Sequence, residues 1–469
     1  MRELNTYESL LAKIQEKRAK IVVLGQGYIG LPLALLLCKA GYHVTGYDIN
    51  KELIREIKNS KTRFSEPGVQ NLLQECLSSG RYVPESRIEK ALSNKDVYII
   101  AVQTPMDSRG EPDLKYLLSA LKTILPVIKG RYSPILLVIE STIPPKTTEE
   151  IILSLLEKEG FFVGEDVFLA YCPERAMPGK LVDELLQGNR IIGVVDESSG
   201  KLATILYSSF TKGSINITHA RTAEFVKLVE NSYRDVNIAF ANAIALACEV
   251  LGVDVSEVRK LANLHPRVNI LRPGIGVGGS CLTKDPYFLI HSVKDRDVDL
   301  DIIQTARKLN EELPRHAAKL ITKTIENHGK NPSKSVIAVL GIAYKGNVGD
   351  FRNSPVLKLI RELRTAGFKI RIFDPLVKEL PSDLKEVCGS LEEAIKGVDC
   401  IVVGADHSIF LETDLNYIRG LCGINPIFFD GKHVFDRRVV ERVGFEYLSV
   451  GCPENVIEIL REIAEHHIY

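Results

Sequence analysis

The chain has 469 residues with 60 basic and 60 acidic side chains, so it carries no net charge and is too long for one core; two or three domains are expected. The even charge and the lack of a long basic tract argue against nucleic acid as the main partner. Nine cysteines without a C-x-x-C pair argue against a disulfide framework or a metal ribbon, so a reducing, cytoplasmic setting and no bound metal are expected.

Residues 1–18 read as a short charged helix. The strand KIVVLG follows, running into GQGYIG and the apolar helix LPLALLLCKAG. Ile21 to Cys38 carries no charge, yet Gly25, Gln26, Gly27, Gly30 and Pro32 break it into strand, turn and helix start, which is no membrane span. Arg18 and Lys20 before it, with no small-residue cleavage site after it, argue against a signal peptide, and the chain reads as soluble. Gly25, Gly27 and Gly30 fit G-x-G-x-x-G, a dinucleotide-binding turn whose helix start offers amides to a pyrophosphate. HVTGYDIN then closes a βαβ unit on Asp48, where a carboxylate accepts from both ribose hydroxyls and repels a 2′-phosphate; NAD is expected over NADP.

Further strands, DVYIIAV and PILLVIEST, end near Thr104 and Thr142, and their alternation with helices predicts a mostly parallel sheet covered on both faces. In YCPERAMPGK, Glu174 is a candidate base for activating water, although Pro-Glu-Arg alone reads more readily as structure. From Thr222 to Leu251 a long helix is expected, stopped by Gly252. Its polar residues Glu224, Lys227, Asn231 and Asp235 share one face, and the rest is apolar enough to be buried on several sides. With apolar flanks, Lys227 and Asn231 need an interior partner, such as the alkoxide of an alcohol under hydride abstraction.

GVGGSCLTKD follows at 276–285. Glycines 274, 276, 278 and 279 let backbone pass close to a ligand and set Cys281 at the end of a tight loop, with Lys284 and Asp285 one turn on. An ammonium nearby favours the thiolate, although a buried structural cysteine fits the loop alone as well. After a helical stretch through His328 and the linker GKNPSKS, the strands KSVIAVL, FKIRIFDP with Asp374 at its end, DCIVVGADH and IFFDGKHVF predict a second nucleotide fold.

Taken together, GQGYIG, VQTP, ESTIPPKT, CPER, AEFVKLVENSYRDVN, HPRVN, GVGGSCLTKDPYF and GIAYKGNVGDFRNSP resemble, in order, the UDP-glucose/GDP-mannose dehydrogenase family of nucleotide-sugar 6-dehydrogenases. The resemblance implies an α/β fold of two Rossmann-like doubly wound domains joined by a long central helix and a helical middle domain. It divides the chain into an NAD-binding domain (1–215), a central helical domain with the dimerisation helix and cysteine loop (216–330), and a UDP-sugar-binding domain (331–469). It implies oxidation of a C6 alcohol to a carboxylate with two NAD per turnover, through a thiohemiacetal and a thioester on Cys281. Lys227 and Asn231 resemble the oxyanion pair, Asp285 and Thr142 the residues that orient water, and Glu174 the hydrolytic base. Gly25, Gly27, Tyr28, Ile29, Gly30, Asp48, Thr104, Thr142, Lys284 and Arg352 are the implied cofactor ligands. Glu174, Arg175, Lys227, Asn231, Gly278 and Lys345 are the implied substrate ligands, joined by Arg267 from the neighbouring subunit of a homodimer.

Within the family, CPERAMPGK, NRIIG, ARTAE and HPRVN are similar to the UDP-N-acetylhexosamine branch. Ser280 stands where that branch commonly has histidine, as in the glucose branch, so GlcNAc, ManNAc, GalNAc and glucose stay open. Two other readings are a two-electron β-hydroxyacid-type dehydrogenase, which has no use for Cys281, and a catalytically silent nucleotide-sugar binder.

Overall fold

Runs of Val, Ile and Leu that alternate along a strand can cover two helical layers at once, and two such sheets form here. In the computed structural model the described residues are 7–63, 66–377, 384 and 387–452. The first sheet contains β1 (Lys20–Leu24), β2 (His43–Tyr47), β3 (Tyr82–Glu85), β4 (Val97–Ile100), β5 (Ile135–Ile139), β6 (Val167–Tyr171), β7 (Arg190–Val194) and β8 (Ile215–His219). Their order is β3-β2-β1-β4-β5-β6-β7-β8, and every pair is parallel except β6 with β7. Ile21, Val23, Val97, Ile99, Leu136 and Val138 face one apolar layer, while Val22, Leu24, Tyr98, Ile100, Leu137 and Ile139 face the other. The period of two that separates these sets is the strand's own, and each fully buried aliphatic side chain contributes roughly 1.5–3 kcal/mol.

The second sheet has β9 (Val336–Leu340), β10 (Lys369–Phe373), β11 (Cys400–Val403), β12 (Ile427–Asp430) and β13 (Glu446–Leu448), all parallel, in the order β10-β9-β11-β12-β13. Both orders reverse direction beside the first strand of the sheet, the position at which open α/β sheets take up ligands.

Two compact units result, Met1–Glu230 with Tyr287–Arg296, and Asn231–Pro286 with Asp297–Tyr469. The helix Ala220–Leu251 contributes to both, as does the helix Asp285–His291. In the second unit Ala245 and Cys248 from the long helix and Leu313, Ala317 and Ile321 from the helix Asp301–Asn327 pack with Ile337, Val339 and Val402 of the sheet.

Several features depart from the sequence reading. The first helix is Tyr7–Gln15, and residues 1–6 lie outside the described residues. On the long helix the polar Glu224, Lys227 and Asp235 are buried, so the polar face is turned inward as well, while Phe225, Val229, Tyr233 and Phe240 are exposed. Glu224 is held inside by the Lys146 and Thr148 amides and Asp235 by Arg307 and Asn310, which draws the polar stripe inward and leaves the apolar ridge outside. Strands β3, β6, β7, β8 and β13 had not been anticipated; β3 contains Pro84, and β8 is an edge strand whose side chains are half-buried or exposed, so neither shows a clean apolar run. Among the described residues, no helix is long and apolar enough to cross a membrane.

Candidate active site

At the end of β1, Gly25 takes φ +93°, and a Cβ there would stand 2.5 Å from the Ala101 carbonyl oxygen, so only glycine makes this turn. A Cβ on Gly30 would lie 1.8 Å from the Gly25 oxygen, which lets the helix Gly30–Lys39 start directly against the strand. Gly27 differs, since nothing lies within 4 Å of its would-be Cβ. That space, beside the first amides of a helix, fits a diphosphate. Gln26 is fully buried beneath the loop, donating from Nε2 to the Val23 carbonyl at 2.9 Å and accepting from the Tyr82 hydroxyl at 2.6 Å. Its backbone N–H donates to Asp48 Oδ2 at 2.8 Å. Asp48 is half-buried and keeps lone pairs for a ribose, so the donor set fits a dinucleotide. Tyr28 donates to Glu66, which also accepts from the Gly179 amide at 2.7 Å. Ile29 stands at the helix N-cap. Thr104 donates to the Thr142 carbonyl at 2.7 Å, tying together the loops after β4 and β5.

Deeper in this unit, Glu174 and Arg175 join a polar cluster whose other members, Glu140, Arg190, Tyr207 and Glu230, sequence reasoning missed. Glu174 accepts from the amides of Arg175, at 2.6 Å, and Ala176 through Oε1, while its buried Oε2 has no hydrogen-bond partner among the described residues. Arg175 grips Glu230 and donates to the Asn189 carbonyl at 2.9 Å. Glu174, Arg175, Asn189, Arg190 and Glu230 line a cavity of about 270 Å³. Behind it sits Glu140, one residue beyond β5, with the Arg190 guanidinium 3.9 Å away and the Tyr207 hydroxyl donating to Oε1 at 2.5 Å. Burial pushes the Glu140 carboxyl up to about 7, Arg190 and Lys227 pull it down, and the charge of Glu174 pushes it up. Glu140 therefore feels the two candidate catalytic groups of this unit, Glu174 and Lys227, at once. A lone acid closing the apolar run VIE was the available signal.

One turn before Lys227, Glu224 accepts from the amides of Lys146 at 2.6 Å and Thr148 at 2.8 Å and from the Thr148 hydroxyl at 2.6 Å. It thereby pins the segment after Thr142 to the helix that carries Lys227, at the start of a π-helical turn, Thr147–Leu153. Burial raises this carboxyl also, to about 7.

In the second unit, the carbonyl of Cys281 accepts from the amides of Lys284 at 2.9 Å and Asp285 at 2.8 Å, which starts the helix Asp285–His291. Cys281 is the one exposed cysteine of the nine. Asp285 is fully buried; Asn231 Nδ2 donates to its Oδ2 at 2.5 Å, and Lys284 Nζ lies 3.6 Å from its Oδ1. The ammonium expected to serve the thiol is thus paired with this carboxylate. The loop glycines also have a different reason from the one expected. A Cβ on Gly278 would come within 2.6 Å of Tyr344 Cβ and 2.9 Å of the Asn353 carbonyl, and one on Gly276 within 2.7 Å of the Asn310 carbonyl. Close packing of the protein on itself, rather than on a ligand, demands them. Asn353 donates to Thr283 Oγ1 at 3.0 Å, and the Gly279 amide donates to the Arg352 carbonyl at 3.0 Å, so the cysteine loop is laced to the loop 350–353. Arg352 pairs with Asp350 at 2.7 Å, a bond that raises its pKa, to which Cys281 also contributes.

Lys345 lies in the loop after β9. Asp374 Oδ2 accepts there from the amides of Ile342 at 2.8 Å and Ala343 at 3.1 Å, and the Gly346 and Asn347 amides donate to Asp406 and to His407 Nδ1, each at 2.9 Å. Arg267 is exposed on a loop held by Asn237, which donates to the Asn269 carbonyl at 2.9 Å, and by Asn263, which accepts from the Ile270 amide at 2.8 Å. Each unit therefore presents its own ordered set of predicted residues: Asp48, Thr104, Thr142, Glu174 and Lys227 in the first, Asn231, Arg267, Cys281, Asp285, Lys345 and Arg352 in the second.

Models of the UDP-glucose/GDP-mannose dehydrogenase family match the chain in three segments: the NAD binding domain over residues 19–211, the central domain over 221–312 and the UDP binding domain over 338–437. A UDP-N-acetyl-D-mannosamine dehydrogenase from Pyrococcus horikoshii is 43% identical, over 92% of this chain and 99% of that protein. The NDP-N-acetyl-D-galactosaminuronic acid dehydrogenase of Ralstonia solanacearum is 35% identical over 85% and 93%. Among solved structures, a UDP-D-ManNAc dehydrogenase from Pyrococcus horikoshii superposes with a TM-score of 0.83 at 42% identity, covering 93% of this chain and all of that one.

Proposed function

Since the chain belongs to the UDP-glucose/GDP-mannose dehydrogenase family, and with it to the NAD-dependent nucleotide-sugar dehydrogenases, we propose that it oxidises the C6 alcohol of a UDP-N-acetylhexosamine to the uronate. The observation that carries this reading is Cys281, the single exposed thiol, set one turn from the buried Asp285–Asn231 pair. A core cysteine serves packing; one presented to solvent at a helix start suits covalent chemistry.

Gly25, Gly27, Tyr28, Ile29, Gly30, Asp48, Thr104, Thr142, Lys284 and Arg352 would hold NAD, which when bound would supply the hydride acceptor for each of two oxidations. Lys227 and Asn231 donate to the C6 oxygen as it gains negative charge. Cys281 Sγ adds to the C6 aldehyde, forming a C–S bond, and the former carbonyl oxygen takes a proton to complete the thiohemiacetal. Once oxidation has made this a thioester, Glu174 accepts a proton from water while the water oxygen attacks the carbonyl carbon. Asp285 and Thr142 orient that water, and collapse of the tetrahedral adduct breaks the C–S bond and returns the Cys281 thiolate. Arg175, Gly278 and Lys345 hold the nucleotide sugar. The proposed division of labour runs 1–215 for cofactor, 216–330 for the cysteine loop and dimer contact, and 331–469 for the nucleotide.

The names of the relatives support an N-acetylated sugar, with the manno epimer first. The exposed ridge of Phe225, Val229, Tyr233 and Phe240 supports a homodimer through the long helix, in which Arg267 serves the neighbouring site. A panel of UDP-sugars assayed with NAD tests the reading: UDP-ManNAc is expected to give two NADH per sugar consumed. One NADH indicates a two-electron dehydrogenase, none a silent binder, and turnover of UDP-glucose alone moves the chain to the glucose branch.

A further inference from the structure

The cluster behind Glu174 is more than core filling. Glu140 is a 3% exposed carboxyl whose Oε2 has no hydrogen-bond partner among the described residues. A buried carboxylate left half satisfied is costly, and a hydrophobic residue of similar volume would pack this position at less cost. The groups facing it come from four elements. Arg190 stands on β7, Cys172 and Glu174 on the loop after β6, Tyr207 on the helix Glu197–Ser208, and Lys227 on the long helix. Arg190 is buried too, stacked over the rings of Tyr207 at 4.8 Å and Phe210 at 5.2 Å, with Nη1 3.8 Å from Cys172 Sγ and its Nε without a partner among the described residues. Arg190 also lines the cavity that Glu174 lines. Held by two rings, this single charge lies 3.9 Å from Glu140 and acts on Glu174 through space.

We propose that Glu140 is a positioning residue for hydrolysis, which through Arg190 sets how strongly Glu174 takes a proton from water. With Glu140 neutral, the Arg190 charge near Glu174 is uncompensated. When Glu140 ionises, losing its proton to solvent, it draws on Arg190 and adds a negative charge facing Glu174, which favours movement of a proton from water toward that side. Glu140 touches no reacting atom. Its titration near neutrality, where burial holds it, sets the pH at which the base is switched on.

The inference rests on Glu174 as hydrolytic base. The decisive measurement is the decay of the Cys281 thioester by rapid quench and intact mass, in the wild-type protein between about pH 6 and about pH 8. The rate is expected to rise about tenfold through one inflection. Glu140→Gln keeps an acceptor for Tyr207 but cannot ionise, so its decay should stay within about twofold across that range, at the wild-type low-pH level, with KM for sugar nucleotide and cofactor unchanged. Tyr207→Phe removes a donor that favours the carboxylate, so its inflection should move to higher pH. This second variant carries the test if Glu140→Gln does not fold. A wild-type pH profile in Glu140→Gln, or an unmoved inflection in Tyr207→Phe, overturns the proposal. Glu174→Gln separates the two levels: if its thioester persists while Glu140→Gln behaves as wild type, only the Glu140 role fails. Undiminished hydrolysis in Glu174→Gln removes the base itself.

Discussion

Two strands in this molecule end in the same way and serve differently. Asp48 follows β2 and Asp374 follows β10, each one strand away from a glycine loop whose amides it accepts. Asp48 takes one loop amide and the Asn50 amide and stays half-buried. The Asp374 side chain is 1% exposed, takes four amides, from Ile342, Ala343, Leu376 and Val377, and meets His407 Nε2 at 3.3 Å. Burial alone would raise the Asp374 carboxyl, but His407 and the amides hold it below the ordinary range. Solvent access thus decides whether the acid of a nucleotide fold is a ligand or a clamp. On the proposed function Asp48 would partner a dinucleotide ribose, whereas the buried Asp374 is spent on its own loops.

The comparison breaks most visibly in stability. Asp374→Ala should cost about 3–5 kcal/mol, because it strands His407 and the loop amides in the interior, and thermal melting would register it. Asp48→Ala should leave the melting temperature almost unchanged while lowering kcat/KM for NAD roughly a hundredfold, about 2.7 kcal/mol. If the two variants melt alike, solvent access does not separate the roles. Next in size are the glycines. Gly341 takes φ +84° with a would-be Cβ 2.6 Å from that of Ala405, so Gly341→Ala should destabilise by more than about 1 kcal/mol. Gly27→Ala, facing open space, should fold normally and lose about tenfold in NAD affinity by calorimetry.

The smallest effect is in the pH dependence of stability. Glu140 and Glu224 are raised to about 7, so their share of stability is fully present below the unfolded carboxyl pKa and lost as pH rises through about 7. Asp374 is lowered, so its share is present above the unfolded value and lost as pH falls through its folded value. Hydrogen exchange followed peptide by peptide should show the first sheet loosening toward alkaline pH and the second toward acid, with Glu224→Gln flattening the former.

Much of this was legible in the residues. The fingerprint Gly25, Gly27 and Gly30 with Asp48, both nucleotide folds, and the shared face of Glu224, Lys227, Asn231 and Asp235 follow from spacing. Less legible were groups whose meaning depends on distant partners. Glu140, Arg190 and Tyr207 lie 50 and 17 residues apart in sequence and meet only once β5 and β7 are in place. The glycines at 276 and 278 were readable as tight backbone, but the crowding atoms, Tyr344 and the Asn310 and Asn353 carbonyls, come from other segments. The residues place Asp374, like Asp48, at a strand end, but the exposure that separates the two is not written in a motif.

The π-helical turn at Thr147–Leu153 has a further consequence for where an anion can settle. Its leading amides, those of Lys146 and Thr148, are already taken by the carboxylate of Glu224. Helix starts carry partial positive charge and compete for phosphate. One such seat in the first unit is filled by the protein's own acid, whereas the start at Gly30 borders the open space above Gly27. Of these two helix starts, the one at Gly30 is the one left beside open space, so on the proposed function a diphosphate is directed there by exclusion as well as by attraction.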